Sequence, residues 1–412
     1  MQRLINNSWK KDFSILWGGQ FISMLTSAVV HMSIIWHITA TTGSALYLSL
    51  SFIAGFLPNS LFGLFAGTLV DRMQRKAAMI TADLFIAAVT LILVFSAMDG
   101  DIEMWVIMVV LVLRSIGTAF HSPAINATVP LIVPKRHLRR CAGYTNALTT
   151  FGFMVGTAVA GVLYPILSMS WLVFMDVAGA IVACVAVLFI RVPTIDSLDE
   201  KSKEKYNAIK EFKEGFEVMK SDKGVFSYLC VGTVFLIVYS PVSTLFPLMS
   251  LGYFGGTTMH AAAAEMCFSA GLIFGGVLLG KTGGFKDRGF GLVFAIALMG
   301  MPICISGLLP QSGFWVFAAM CVIMGISGPL YTGPVSALMQ ERIPQEYMGR
   351  AFGMYASLSS LAMPVGMAAA GVFAEDTGVA KWFVIAGAAC ALLAVIAWMI
   401  PSVRNIERGE SK

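Results

Sequence analysis

Apolar runs of about 20 residues, the length of helix that crosses roughly 30 Å of hydrocarbon, recur along this chain and are separated by short stretches that hold the charges. The sequence is 57% hydrophobic and 12% charged, with a mean hydropathy of +0.79, more apolar surface than a soluble core of 412 residues needs. The pattern predicts an all-α membrane protein with helices near 13–38, 45–69, 77–98, 104–128, 141–167 and 170–190, and then near 224–248, 261–281, 289–309, 313–339, 351–374 and 380–400. Six spans lie on each side of a polar stretch, so the expected division is an N-terminal bundle over 1–191, a linker over 192–223, and a C-terminal bundle with a short tail over 224–412. The run after Lys10 and Lys11 is too long for a cleaved signal and lacks a small-residue cleavage site, which places the mature start near Met1.

Lys and Arg set the orientation, because cytoplasmic loops keep the positive charges. With the N-terminus inside, all but Arg114 and Lys381 of the 28 basic residues fall on one face. A multi-pass protein with both termini cytoplasmic is expected. The net charge of +5 follows from this bias and calls for no nucleic acid. The seven cysteines stand singly in or beside apolar spans, without C-x-x-C spacing, and read as small buried hydrophobes rather than disulfides or metal ligands.

The chain also repeats itself. At an offset of 210 residues, Pro134 meets Pro344, Arg140 meets Arg350, Gly143 meets Gly353, Gly156 meets Gly366, and the AGV at 160–162 meets the AGV at 370–372. Two bundles of common origin facing each other place a substrate site near the midplane and let the halves rock for alternating access. The repeat settles one ambiguity. Gly275 to Thr282, GGVLLGKT, fits the phosphate-binding pattern G-x-x-x-x-G-K-[ST], and LVFMD ending at Asp176 looks like the acid that would hold magnesium. A working phosphate loop follows a strand and opens a helix. At an offset of 213 this stretch is a copy of Gly63 to Lys76, the end of helix 2 and its loop, so no nucleotide cofactor and no enzyme activity are expected.

The loop GTLVDRMQRK, with Gly67, Asp71, Arg72, Arg75 and Lys76, resembles the G-x-x-x-D-R-x-x-R-[KR] signature between helices 2 and 3 of the major facilitator superfamily. The second copy keeps Gly280, Lys281 and Arg288 and has Gly284 where the acid would be. ADLFIAA, RSIGTAFH, CAGY, PLMSLGYFGGT and PQEYMGRAFG are similar to the macrolide efflux (Mef-type) branch of Gram-positive bacteria. The resemblance implies a twelve-helix fold of two pseudo-symmetric six-helix bundles in the bacterial cell membrane, exporting macrolides in exchange for protons. Helix 5 departs from the G-x-x-x-G-P-x-x-G-G pattern of drug antiporters, since Thr157 follows Gly156 and Ala160 precedes Gly161.

An ionised group inside a span is costly, by roughly 2.5–3.5 kcal/mol, so each is a functional candidate. Arg114, deep in helix 4, matches the superfamily's helix-4 arginine, which the resemblance links to proton transfer. Glu265 on helix 8 and Asp176 on helix 6 are carboxylates of limited hydration, suited to binding and releasing a proton. Asp83 lies near the basic loop, where an ion pair with Arg72 or Arg75 is expected. Asp71 can accept hydrogen bonds from a facing helix N-terminus while Arg72 and Arg75 hold acids or carbonyls, a latch that breaks when the inside opens.

Drug contact is expected from aromatic, thioether and imidazole side chains, which adapt to bulky ligands. On the first two helices these are Met24, His31 and Trp36, then Phe52 and Phe56. His121 on helix 4, Tyr239 and Phe246 on helix 7, and Met354 and Met363 on helix 11 complete the set. Ile209, Phe212 and Phe216 fall at helical spacing in the linker, whose eight acids oppose seven lysines, and suggest an amphipathic helix on the inner leaflet. Expected partners are a small-molecule drug, protons and the bilayer. A partner ATP-binding-cassette protein stays open, as do two rival readings: export of a native metabolite or siderophore, and a membrane subunit anchoring a partner ATPase.

Overall fold

A computed structural model describes residues 2–98, 102–192, 216–344 and 347–406. The described residues are helical and contain no strand. The first six long helices are α1 (Gln2–Thr42), α2 (Ala45–Arg72), α3 (Arg75–Met98), α4 (Met104–Ile132), α5 (Leu138–Leu163) and α6 (Met169–Phe189). After the linker follow α7 (Lys223–Pro247), α8 (Thr258–Thr282), α9 (Arg288–Leu308), α10 (Phe314–Arg342), α11 (Met348–Thr377) and α12 (Val379–Met399). Twelve helices among the described residues are long and apolar enough to cross a membrane, as the apolar runs predict. Of the linker helix, Phe216 to Ser221 are helical and Phe216 packs edge-on against Phe226; Ile209 and Phe212 lie outside the described residues.

The start signals are chemical. Asp222 accepts from the amides of Gly224 and Val225 at 2.8 and 3.0 Å to open α7, and Asp287 accepts from the amide of Phe290 at 3.0 Å to open α9. Each side chain satisfies orphan donors of a first turn. The expected end of α7 near 248 is overrun by a π-helical turn, Leu248–Tyr253, after Pro247. The Tyr253 hydroxyl donates to the Leu309 carbonyl at 2.6 Å, which holds that turn against the end of α9.

Two compact units emerge: Met1–Thr41 with Ser51–Ser202, and Thr42–Leu50 with Lys203–Lys412. Within the first unit α3 packs on α4 and α6; within the second, α8 packs on α10, α9 on α12 and α7 on α11. The second unit includes the start of α2, where Ser44 Oγ donates to Glu375.

Glycine sets the closest of these contacts. A Cβ at Gly275 would lie 2.6 Å from the Ile326 carbonyl oxygen, and one at Gly325 would meet the Phe268 carbonyl and lie 2.9 Å from Gly271 Cα. Gly271 and Gly275, four residues apart on α8, therefore let its backbone touch α10, the packing that membrane helices use where no hydrophobic drive separates them from lipid. Gly275 to Thr282 is helical throughout, and the helix ends at Gly283 in the left-handed conformation, φ 71°. The apparent phosphate loop is thus a packing face and a helix end, not a loop between strand and helix. Gly325→Leu is expected to lower the thermal unfolding midpoint of detergent-solubilised protein sharply, by at least the ~1–3 kcal/mol of an overpacked contact; an unchanged midpoint would mean that α8 and α10 are not this close.

Candidate functional site

Four helices of the first unit each contribute one polar side chain to a closed network. Arg114, on α4 and 11% exposed, donates from Nη1 to Asp176 Oδ2 on α6 at 2.7 Å; Asp176 is 2% exposed. The same nitrogen donates to Thr90 Oγ1 on α3, and Nη2 donates to Ser27 Oγ on α1 at 3.3 Å. Ser27 in turn donates to Asp176 Oδ1 at 2.8 Å. Both carboxylate oxygens are engaged and the two charges cancel, the condition under which buried ions are tolerated.

Local sequence explains why these groups meet. Gly179 follows Asp176 by three residues and so shares its face of α6; a Cβ there would run into Thr26 of α1. Gly156 of α5 stands against Leu25 and Ala28 of α1, where a Cβ would lie 2.7 Å from the Leu25 carbonyl oxygen. These two glycines draw α1 close enough for Ser27 to bridge. Thr90 donates its own proton to the Ile86 carbonyl at 2.7 Å, leaving its lone pairs for Arg114.

A cavity of about 300 Å³ opens onto this network, walled by Met24, Ser27 and His31 of α1, Arg114 and Thr118 of α4, and Phe153 of α5. Its lining is mostly apolar with one cation at the wall, the make-up of a small-molecule site. Of the residues expected to touch drug, Met24 and His31 line it. Trp36 is buried against Tyr164, ring centroids 6.3 Å apart, and Phe52 and Phe56 are half-buried on α2. His121 faces Asp83 instead, with Nε2 3.0 Å from Oδ1.

In the second unit Tyr239 stacks on Phe235 at 5.9 Å, Phe246 packs on Phe317 at 5.3 Å, Met354 is buried and Met363 is half-buried. Glu265, seven residues into α8, has Tyr239 of α7 and Cys321 of α10 as electrostatic neighbours. Among the described residues it has no hydrogen-bond or ion-pair partner, which separates it from Asp176. All seven cysteines are free thiols.

At the loop end of the first unit, Arg75 donates to the Ala127 carbonyl and Lys76 donates to the Leu188 carbonyl at 3.3 Å. The side chains of Gly67, Asp71 and Arg72 lie outside the described residues. Asp83 takes His121 and Gln20 as partners where the sequence pairs it with Arg72 or Arg75, because α4 and α1 bring their polar groups against α3 at its level. Ser27 and Thr90 were not anticipated from sequence: hydroxyls in spans ordinarily bond their own helix, as Ser33 does to Val29 and Thr39 to Ile35.

Lys281, the basic residue of the phosphate-loop look-alike, lies in the last turn of α8, where a cation complements the helix dipole. Lys281→Ala is therefore expected to leave drug transport near the wild-type rate. Loss of transport together with loss of measurable ATP binding would restore the nucleotide reading.

The chain is similar to known transporters along almost its whole length. The sequence profile of the Major Facilitator Superfamily matches residues 16–367 and 287–412. "Macrolide efflux protein A" of Streptococcus pyogenes is 43% identical over 405 residues, 97% of this chain and 98% of that protein. The Enterococcus faecalis protein of the same name is 45% identical over 329 residues, 79% of this chain and all of that protein. Among solved structures, a POT family transporter in complex with 5-aminolevulinic acid aligns with a TM-score of 0.74 at 10% identity, covering 95% of this chain and 96% of that one, a likeness of fold alone. With its twelve apolar helices, this multi-pass membrane protein belongs to the Major Facilitator Superfamily.

Proposed function

We propose that the chain is a secondary active exporter of bulky amphiphilic drugs, macrolide antibiotics first among them, driven by exchange with protons across the bacterial cell membrane. The observation that carries the reading is the apolar cavity with Arg114 and His31 at its wall, in a chain 43% identical to a macrolide efflux protein along nearly its full length. The cavity accepts an apolar face through Met24 and Phe153, and a polar group through Ser27 and Thr118.

Proton exchange is read from the acids. Arg114 keeps its charge at any physiological pH, so a proton on Asp176 would release a cation into the cavity wall. A proton leaving Asp176 would close the ion pair again. Glu265, unpartnered in the second unit, is the second proton carrier. Both termini and the Gly67–Lys76 loop lie on the cytoplasmic side in this reading, since Asp71, Arg72, Arg75 and Lys76 form the latch of the outward-facing state.

Cellular accumulation tests the substrate class. Cells carrying the gene are expected to hold several-fold less radiolabelled erythromycin than cells without it, and a protonophore is expected to abolish the difference. Equal accumulation with and without the gene would remove macrolides as substrates.

A further inference from the structure

Asp83 lies on α3 and is 4% exposed. His121 Nε2 of α4 approaches its Oδ1 to 3.0 Å, off the line of a straight hydrogen bond, and Gln20 Nε2 of α1 donates to its Oδ2 at 3.4 Å. Gln20 is fully buried and its carbonyl Oε1 has no partner. From α6, Cys184 is the titratable side chain facing Asp83; its thiol donates to the Ile80 carbonyl at 3.9 Å. The nearest cations on α3 turn away from it, Arg75 toward the Ala127 carbonyl and Lys76 toward that of Leu188.

The spacing along the helices is regular. Gln20 precedes Ser27 by seven residues on α1, Asp83 precedes Thr90 by seven on α3, and His121 follows Arg114 by seven on α4. Seven residues are two turns of an α-helix, about 10 Å, and return to nearly the same face. The Asp83 cluster is therefore a second polar layer of the same helices, stacked below the Arg114–Asp176 layer toward the loop that joins α2 to α3.

The two layers differ in the proton they hold. Arg114 does not deprotonate, so its layer is neutral with Asp176 ionised. Asp83 has only an imidazole opposite it. An ionised carboxylate beside a neutral imidazole would leave a bare charge inside the span, which is costly. Neutrality requires one proton on the pair, either on Asp83 or on His121. Gln20 suits both forms: its amide nitrogen donates to the carboxylate, and after a half-turn of the amide its unpartnered Oε1 accepts from the carboxylic acid.

We infer that Asp83, His121 and Gln20 form a second proton-binding site of the first unit, one heptad removed from the Arg114–Asp176 layer. Its ligand is a proton delivered by hydronium and returned to water; an O–H or N–H bond forms on binding and breaks on release. The inference rests on the antiport reading only for the use made of that proton.

Infrared difference spectra of the purified full-length protein between acid and alkaline buffer read the site without transport. The wild type is expected to show a titrating carboxylic-acid carbonyl band of which one component disappears in Asp83→Asn and persists in Asp176→Asn and Glu265→Gln. In His121→Gln, which keeps the carboxyl, the midpoint of that component is expected to move by about one pH unit or more. A band unchanged in Asp83→Asn overturns the site, and an unmoved midpoint in His121→Gln overturns the pairing, including where Asp83→Asn fails to fold. If the band is lost as expected but wild-type efflux ignores an imposed pH gradient, the site stands and the antiport reading falls.

Discussion

Asp176→Ala is expected to abolish drug efflux and to remove most of the folded protein from the membrane. The substitution leaves Arg114, 11% exposed, without its carboxylate and frees the Ser27 hydroxyl that donates to it. Breaking one side of a buried pair costs about 3–5 kcal/mol because the remaining charge is uncompensated, a large share of the 5–15 kcal/mol that holds a typical domain. Thermal unfolding of solubilised protein, read by size-exclusion fluorescence, measures the loss. The double substitution Arg114→Met with Asp176→Leu removes both charges, and is expected to recover folded protein while leaving pH-driven efflux absent. An Asp176→Ala protein as stable and as active as the wild type would show that the pair neither supports the bundle nor takes part in coupling.

The second large effect concerns the acid that has no partner. Glu265→Gln keeps the size and hydrogen-bonding capacity of the side chain and removes only the exchangeable proton. Uphill, pH-driven efflux is expected to fall to background, while drug binding and downhill drug exchange stay within about twofold of wild type, since loss of a proton carrier removes coupling rather than the cavity. The effect on stability is expected to be small, because no ion pair or hydrogen bond to Glu265 is broken among the described residues. Concentration of drug against its gradient at the wild-type rate by Glu265→Gln would remove Glu265 from the mechanism and leave Asp176 and Asp83 as carriers.

The helices were legible because crossing a bilayer demands a minimum length of apolar residues, and that demand is written locally. The ends were less so: nothing between Pro247 and Phe254 announces a π-helical turn, whose reason is the tertiary bond from Tyr253 to Leu309. At the site, sequence identified Arg114 and Asp176 as buried ions but not as partners, since 62 residues separate them and only the approach of α1 to α6 at Gly179 joins them. Asp83 shows the same limit in reverse. Its neighbours in sequence, Arg72 and Arg75, suggest an ion pair, whereas its partners in space come from α4 and α1. One signal was available: polar residues seven apart on three helices, at 20 and 27, 83 and 90, 114 and 121, mark one face of each. The phosphate-loop pattern failed for a related reason, because glycine serves helix contact in a membrane as readily as it serves a phosphate, and only the helical backbone at Gly275 tells the two apart.

Purified protein reconstituted alone into liposomes, with an imposed pH gradient and no nucleotide, tests proton-driven export most directly. Radiolabelled erythromycin is expected to accumulate in vesicles that are acidic inside, to leak out when a protonophore collapses the gradient, and to stay at equilibrium in vesicles holding Glu265→Gln. Accumulation that ignores the gradient, or that requires ATP and a second protein, would contradict an autonomous drug–proton antiporter.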